Sequence, residues 1–167
     1  GKKGWKFEEI LAAPKNFGIE NKVKFLETVS DEELPAFYKN AVCFILPSLY
    51  EGFGLPVLEA IKCGTLVIAS NLTSLPEVVG TPEALFDPFD IENISLLMGK
   101  YFSPSKEKNE LLEKQYQNSL QFDWQKTAEL ILNAAHEVTN SDGIIEDNNW
   151  VQTIERLNHL DNQMIEN

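Results

Sequence analysis

An α/β fold, with a parallel sheet covered by helices on both faces, is what this sequence predicts, and three observations predict it. Two continuous apolar runs, AVCFIL at residues 41–46 and TLVIA at residues 65–69, have the character of strands buried on both faces. Helix-period segments alternate with the short apolar ones up to about residue 90. Capping residues, prolines and glycines mark the changeovers. A βαβα rhythm of this kind needs crossover helices, and crossovers lay successive strands side by side in parallel.

Taken in order, residues 5–13 read as a helix with Trp5, Ile10, Leu11 and Ala13 as its apolar set, closed by Pro14 and Gly18. Residues 23–26 are a short strand. Ser30, with Glu33 three residues on, makes a capping box that starts a helix over 31–39. After the 41–46 strand, a helix over 55–63 carries Pro56 in its first turn and Gly64 just past its end, the usual asymmetry of helix termini. The 65–69 strand leads to a second capping box, Ser74 with Glu77, and then to a short strand at 84–86. Beyond residue 90 the pattern is helical only, over 91–102, 106–120 and 124–138, with breaks at Ser103-Pro104 and Phe122-Asp123. The polar, turn-rich TNSDGIIEDNN at 139–149 reads as a linker. An amphipathic helix over about 150–164 follows, with Trp150, Ile154, Leu157, Leu160 and Met164 toward one side. Its candidate roles are docking on the domain, a homo-oligomer contact, or a lead into a further domain. The chain therefore divides into an α/β domain, residues 1–138, and a linker with its helix, residues 139–167.

The 167 residues, 43% of them hydrophobic and 24% charged, suffice for a buried core. A formal net charge of −12 opposes nonspecific encounter with nucleic acid or an anionic membrane, so no nucleic-acid partner is expected. Cys43 and Cys63 have neither disulfide-framework nor metal-ligand spacing and read as packing residues, and no metal is expected. His136 and His159 read as surface residues of late helices, and Trp5 and Trp124 as packing anchors. No run approaches the ~20 apolar residues of a membrane span. The expected location is the cytoplasm, with a peripheral station at the inner face of a membrane as an option for a longer protein. Gly1 opens the chain without a methionine, and an excised fragment is the expectation that follows.

The stretch PSLYEGFGLPVLEAIKCG, residues 47–64, carries the chemistry. It leaves one buried strand and enters a helix, and in open parallel sheets ligands sit outside the carboxyl ends of the strands. Gly52 and Gly54 permit positive φ and close approach of a ligand to the backbone. The free N–H groups and positive dipole end of the next helix favour a phosphate. Glu51, an acceptor when ionised, suits sugar hydroxyls. Glu59 lies one turn inside the helix, about 6 Å along its axis. Two hydroxyl-bearing ends flanking a diphosphate, as in a nucleotide sugar, match that layout. Plainer readings stand beside it: Glu59 could pair with Lys62 on a solvated helix face, Glu51 could be an exposed loop carboxyl, Tyr50 could line a pocket or pack the loop, and Glu77 could be a cap.

The wording of the longer stretch PSLYEGFGLPVLEAIKCGTLVIASNLTSLPEVVG resembles the signature region of glycosyltransferase family 4, retaining enzymes of the two-domain GT-B fold, whose E-x7-E motif matches Glu51 and Glu59. VKFLETVSDEELPAFYKNA resembles the strand-helix pair before the motif, ALFDPFD the segment after it, and FDW with Ala128 the last family helices, so the resemblance covers about residues 1–137. It implies the C-terminal, donor-binding Rossmann-like domain of such an enzyme, lacking its first strand and the N-terminal acceptor domain. By the same resemblance Glu51 is the catalytic-site residue that contacts the transferred sugar, in a positioning and electrostatic role. The backbone of Gly52, Phe53, Gly54 and Leu55 approaches the diphosphate, Glu59 accepts from the ribose hydroxyls, and Phe25, Leu26 and Glu27 border the base. The implied partners are a UDP- or GDP-sugar donor and a glycan or lipid-linked acceptor, with no cofactor beyond the donor. The family's Arg and Lys that clamp the diphosphate have no counterpart from Gly1 onward. A fragment that folds but transfers no sugar alone is therefore expected. The alternative from another class is a non-catalytic assembly or regulatory module on the same fold. A phosphorylase or epimerase of GT-B type fits the fold but not the E-x7-E wording.

Overall fold

The computed structural model describes residue 4 and residues 7–140, apart from the side chains of residues 139 and 140. The 139–149 linker, the 150–164 helix, Trp5 and His159 lie outside the described residues, except for the backbone at 139 and 140. The chain forms two compact units, Gly1–Gln121 and Phe122–Asn167.

In the first unit a parallel sheet is built from β1 (Phe44–Leu46), β2 (Val67–Ser70) and β3 (Leu85–Phe86), in the order β1-β2-β3. Phe44 faces Val67 and Leu46 faces Ala69 across the first pair, and Ala69 faces Leu85 across the second. The helices are α1 (Glu8–Asn16), α2 (Leu34–Asn40), α3 (Leu55–Lys62), α4 (Leu75–Val79), α5 (Ile91–Phe102) and α6 (Lys106–Ser119). Short 3-10 turns lie at Glu20–Lys22 and Pro82–Ala84. An α/β sheet of parallel strands with flanking helices, followed by helices only, is thus the observed architecture.

The core sits around β2, every residue of which is buried. Val57, Ala60 and Ile61 of α3, Leu75, Val78 and Val79 of α4, and Leu111 of α6 close over it. Burying each such aliphatic side chain stabilises the fold by roughly 1.5–3 kcal/mol relative to leaving it exposed. A polar device completes this half: Gln115 of α6, 1% exposed, accepts from the Val67 N–H at 3.0 Å and donates to the Val67 carbonyl at 2.7 Å. It does for Val67 what a neighbouring strand would do, at a position that β3 does not reach. Asn118 closes the C-terminus of α4 by donating to the Glu77 and Val78 carbonyls. Gly80 follows at φ +67, where a Cβ would collide with the Asn118 side chain.

Several expectations are corrected. Residues 23–26 form no strand; Val23 is extended, but the segment joins no ladder, and Phe25 is 49% exposed. The 41–46 run shortens to a three-residue strand of intermediate burial, because β1 is the edge of the described sheet and only β2 pairs with it. Pro14 does not close the first helix. It sits inside α1, which continues to Asn16, because a proline near a helix end removes one N–H and leaves the closing bonds from Phe17 and Gly18 intact. The Ser30–Glu33 box forms as expected, with reciprocal bonds of 3.3 Å, although α2 begins only at Leu34. The Ser74–Glu77 box does not form; Ser74 precedes α4 with no side-chain cap, its hydroxyl being engaged elsewhere. In the second unit α7 (Trp124–Asn140) starts from Asp123, which accepts from the Gln125 and Lys126 N–H groups. Among the described residues no helix is long and apolar enough to cross a membrane.

Candidate functional site

β1 ends at Leu46 and delivers the chain to a loop that runs outside the carboxyl end of the sheet into α3. The loop is anchored by side chains from the neighbouring β2 strand and its exit. Ser70, the last residue of β2, donates its hydroxyl to the Ser48 carbonyl at 2.6 Å. Glu51 is held by both sides of its backbone: its N–H donates to Thr73 Oγ1 at 3.2 Å, and its carbonyl accepts from Ser74 Oγ at 3.2 Å. Thr73 does this from the left-handed region, at φ 53, the one such non-glycine among the described residues. A β-branched residue there is strained, and such strain persists where the surroundings over-determine it.

Gly54 forms the turn into α3 at φ +96, and its carbonyl receives the Val57 and Leu58 N–H groups. A Cβ at this position would lie 2.7 Å from Leu75 Cδ2 in the core, so both conformation and packing require glycine. Gly52 differs: it is exposed, has no positive φ, and a Cβ there would meet nothing within 4 Å. The expectation that both glycines serve positive φ holds for Gly54 alone. The N–H groups of Gly52, Gly54 and Leu55 make no hydrogen bond among the described residues, and Pro56 has none to offer. That leaves a cluster of unengaged backbone donors at the positive end of a helix, the kind of arrangement that can receive an anion. Phe53 and Leu55 expose part of their side chains beside it.

Glu59 stands in the second turn of α3, on the exposed side. Lys62 makes no ion pair with it among the described residues; instead the Tyr38 hydroxyl of α2 donates to Glu59 Oε2 at 3.1 Å. Tyr38 is buried, and its ring meets Phe44 of β1 edge-on, centroids 5.4 Å apart. Burial first, and then the Glu59 carboxyl, push the Tyr38 hydroxyl up to about 12, so it remains a donor at any ordinary pH. Asp31, Leu34, Pro35, Tyr38, Glu59, Lys62 and Cys63 line a hollow of about 350 Å³ between α2 and α3. Phe25, Leu26 and Glu27 lie before the Ser30 box in a stretch that joins no strand ladder, Phe25 and Glu27 exposed and Leu26 half-buried.

Glu51, Gly52, Phe53, Gly54, Leu55 and Glu59 thus lie on one continuous loop-helix unit. Sequence reasoning missed Tyr38, Thr73 and Ser74. Ser74 had a signal, a hydroxyl three residues before a glutamate, but the same signal describes a cap. The left-handed Thr73 and the reach of Tyr38 to another helix leave no mark in a linear pattern.

The parallel sheet, its crossovers and the helices that follow are those of a GT-B-like Rossmann fold. Its likeness to a solved structure, the sucrose-phosphate synthase from Thermosynechococcus elongatus, has a TM-score of 0.76 at 24% identity and covers 85% of this chain and 38% of that one. The chain belongs to the family described as glycosyl transferases group 1, whose model matches residues 1–119. Curated relatives include the serotype-specific mannosyltransferase WbdA of Escherichia coli, 38% identical over 126 residues, 75% of this chain and 16% of that protein. The O-antigen chain mannosyltransferase B of Escherichia coli is 36% identical over 134 residues, 80% of this chain and 35% of that protein. The chain therefore spans well under half the length of these relatives.

Proposed function

We propose that residues 1–138 form the donor-binding, C-terminal half of a retaining glycosyltransferase of family 4. It transfers a hexose, mannose foremost, from a nucleotide diphosphate sugar to a glycan or lipid-linked acceptor in polysaccharide synthesis. The observation that carries the reading is the loop-helix unit: unengaged N–H groups at Gly52, Gly54 and Leu55 at the start of α3, with Glu51 before them and Glu59 one turn beyond. The N–H groups and helix dipole receive the diphosphate. Glu51 accepts from hydroxyls of the transferred sugar and stabilises charge developing at its anomeric centre. Glu59 accepts from the ribose, and the backbone around Phe25, Leu26 and Glu27 borders the base. Mannose is suggested by the printed activities of the two Escherichia coli relatives. Their greater length supports placing the acceptor-binding half and a cationic diphosphate clamp in further sequence. The full-length protein then works in the cytoplasm, peripheral at the inner membrane face, and the isolated chain transfers no sugar.

Calorimetry on the full-length protein with a panel of UDP- and GDP-sugars tests this. One donor is expected to bind, and Glu59→Ala to weaken it by about tenfold or more, the scale of losing hydrogen bonds to a charged acceptor. Binding of no donor in the panel overturns the reading.

A further inference from the structure

We infer that Tyr38 is a positioning residue for nucleotide recognition: its hydroxyl fixes one oxygen of Glu59 so that the other is presented to the ribose. The inference rests on the proposed role of Glu59 and adds to it a specific source of its orientation. A glutamate on an exposed helix face is free to sample several rotamers, and fixing it for a ligand costs conformational entropy at each binding event. Here the constraint is already present. Tyr38 Oη is 3.1 Å from Glu59 Oε2, while Glu59 Oε1 makes no hydrogen bond among the described residues. Tyr38 is itself held by three contacts, one at its ring and two at its backbone carbonyl. The residue is 7% exposed, and its ring packs edge-on against Phe44 of β1. Its carbonyl accepts from the buried Thr65 hydroxyl at 2.6 Å, at the entrance to β2. The same carbonyl also accepts from the Ala41 N–H at 2.9 Å, closing α2. Both partners face the hollow between α2 and α3, so the bond is made at a wall of open space and not in the sealed core.

A bond that merely ties α2 to α3 would have a different consequence. It would affect stability, and would affect all ligands alike. A positioning bond affects only ligands that have the hydroxyls Glu59 reads. The test measures affinity of the full-length protein for GDP and UDP and for their 2′,3′-dideoxy counterparts, in the wild type, Tyr38→Phe, Glu59→Gln and the double variant. Phenylalanine keeps the ring packing and leaves behind an exposed carboxyl that water can solvate, so the fold is retained.

Tyr38→Phe is expected to weaken the ribonucleotide by about fivefold, the scale of one hydrogen bond to a charged group acting through an intermediary, and to leave the dideoxy compound within about twofold. In the Glu59→Gln background the same change is expected to have little further effect, since interacting residues are not additive. Equal weakening of ribo- and dideoxy forms by Tyr38→Phe, or full additivity with Glu59→Gln, overturns the positioning role while leaving the Glu59 reading intact. A wild type that does not distinguish ribo- from dideoxynucleotide, or binds neither diphosphate, overturns the Glu59 reading and this inference with it.

Discussion

The two halves of the described sheet are built by opposite means. Around β2 and β3 no buried side-chain polar atom among the described residues lacks a partner: Gln115 completes the hydrogen bonding of Val67, its amide also donates to the buried Thr81 hydroxyl, and Asn118 closes α4. Around β1 the burial is intermediate, the 23–29 stretch joins no ladder, and residues 47–53 of the loop are exposed or half-buried. Yet the loop that bears the candidate site is anchored, because the closed half reaches over to hold it. Ser70, Thr73 and Ser74 fix the loop from the β2 side, and Leu75 sets the space available to Gly54. The difference separates two uses of a polar side chain, one that completes a core and one that anchors the backbone of a surface loop.

The comparison is most sharply broken at Gln115. Gln115→Leu keeps an apolar bulk but leaves the buried Val67 N–H and carbonyl unpaired, which costs about 3 kcal/mol. Urea unfolding should show this as a lower midpoint with an unchanged slope. A midpoint like the wild type's would mean that the closed half does not depend on its polar matching. Gly54→Ala comes next, at about 2 kcal/mol, from a left-handed alanine plus a methyl driven against Leu75. The same variant should lose donor affinity as well, since the turn that starts α3 carries the free N–H groups.

What was legible in the sequence follows the same division. The TLVIA run and the later helices announce themselves because burial on both faces and helix period are linear patterns; α5 takes the expected 91–102 bounds, and α6 falls one residue short of its expected end. AVCFIL has the same composition as a buried strand, but whether such a run is central or at an edge depends on which other strands are present. The E-x7-E spacing marked the candidate site residues as one segment. It could not show what holds them, because Tyr38 is 21 residues from Glu59, and Thr73 and Ser74 are 22 and 23 from Glu51.

The Thr73–Glu51 contact makes a finer test. Thr73→Ala keeps a side chain at φ 53 and loses the bond to the Glu51 N–H, whereas Thr73→Gly loses the same bond but relieves the backbone. The glycine variant should be the more stable of the two by about 1 kcal/mol. Both should slow sugar transfer on the proposed reading, since Glu51 loses one of its two backbone anchors and keeps only that from Ser74. Equal stability would show that Thr73 carries no strain. A smaller effect belongs to pH. The Tyr38 hydroxyl titrates near 10 unfolded and about 12 folded, so the unfolded chain binds fewer protons between those values. The contribution is complete below pH 10 and is lost as pH rises toward 12. Cys43, raised by burial from 9 to about 11, adds a loss of the same sign over pH 9 to 11. Measured in a Cys43→Ala background, the decline over pH 10 to 12 should flatten in Tyr38→Phe.

Gly52→Ala has the smallest expected effect on the fold and is the most informative about the open half. Among the described residues nothing beyond the chain neighbours lies within 4 Å of where the new methyl would stand, and the backbone there is not in the left-handed region, so the described fold gives no reason for a glycine. Unfolding in urea should match the wild type to within about 0.5 kcal/mol, or gain slightly from the less flexible unfolded chain. If the Gly52 N–H meets a diphosphate, however, the methyl occupies space next to the ligand, and donor affinity should fall by about tenfold while stability is unchanged. A binding loss without a stability loss would mean that the requirement for glycine comes from outside the chain. Unchanged binding would remove Gly52 from the donor site and leave Gly54 and Leu55 to receive the phosphate.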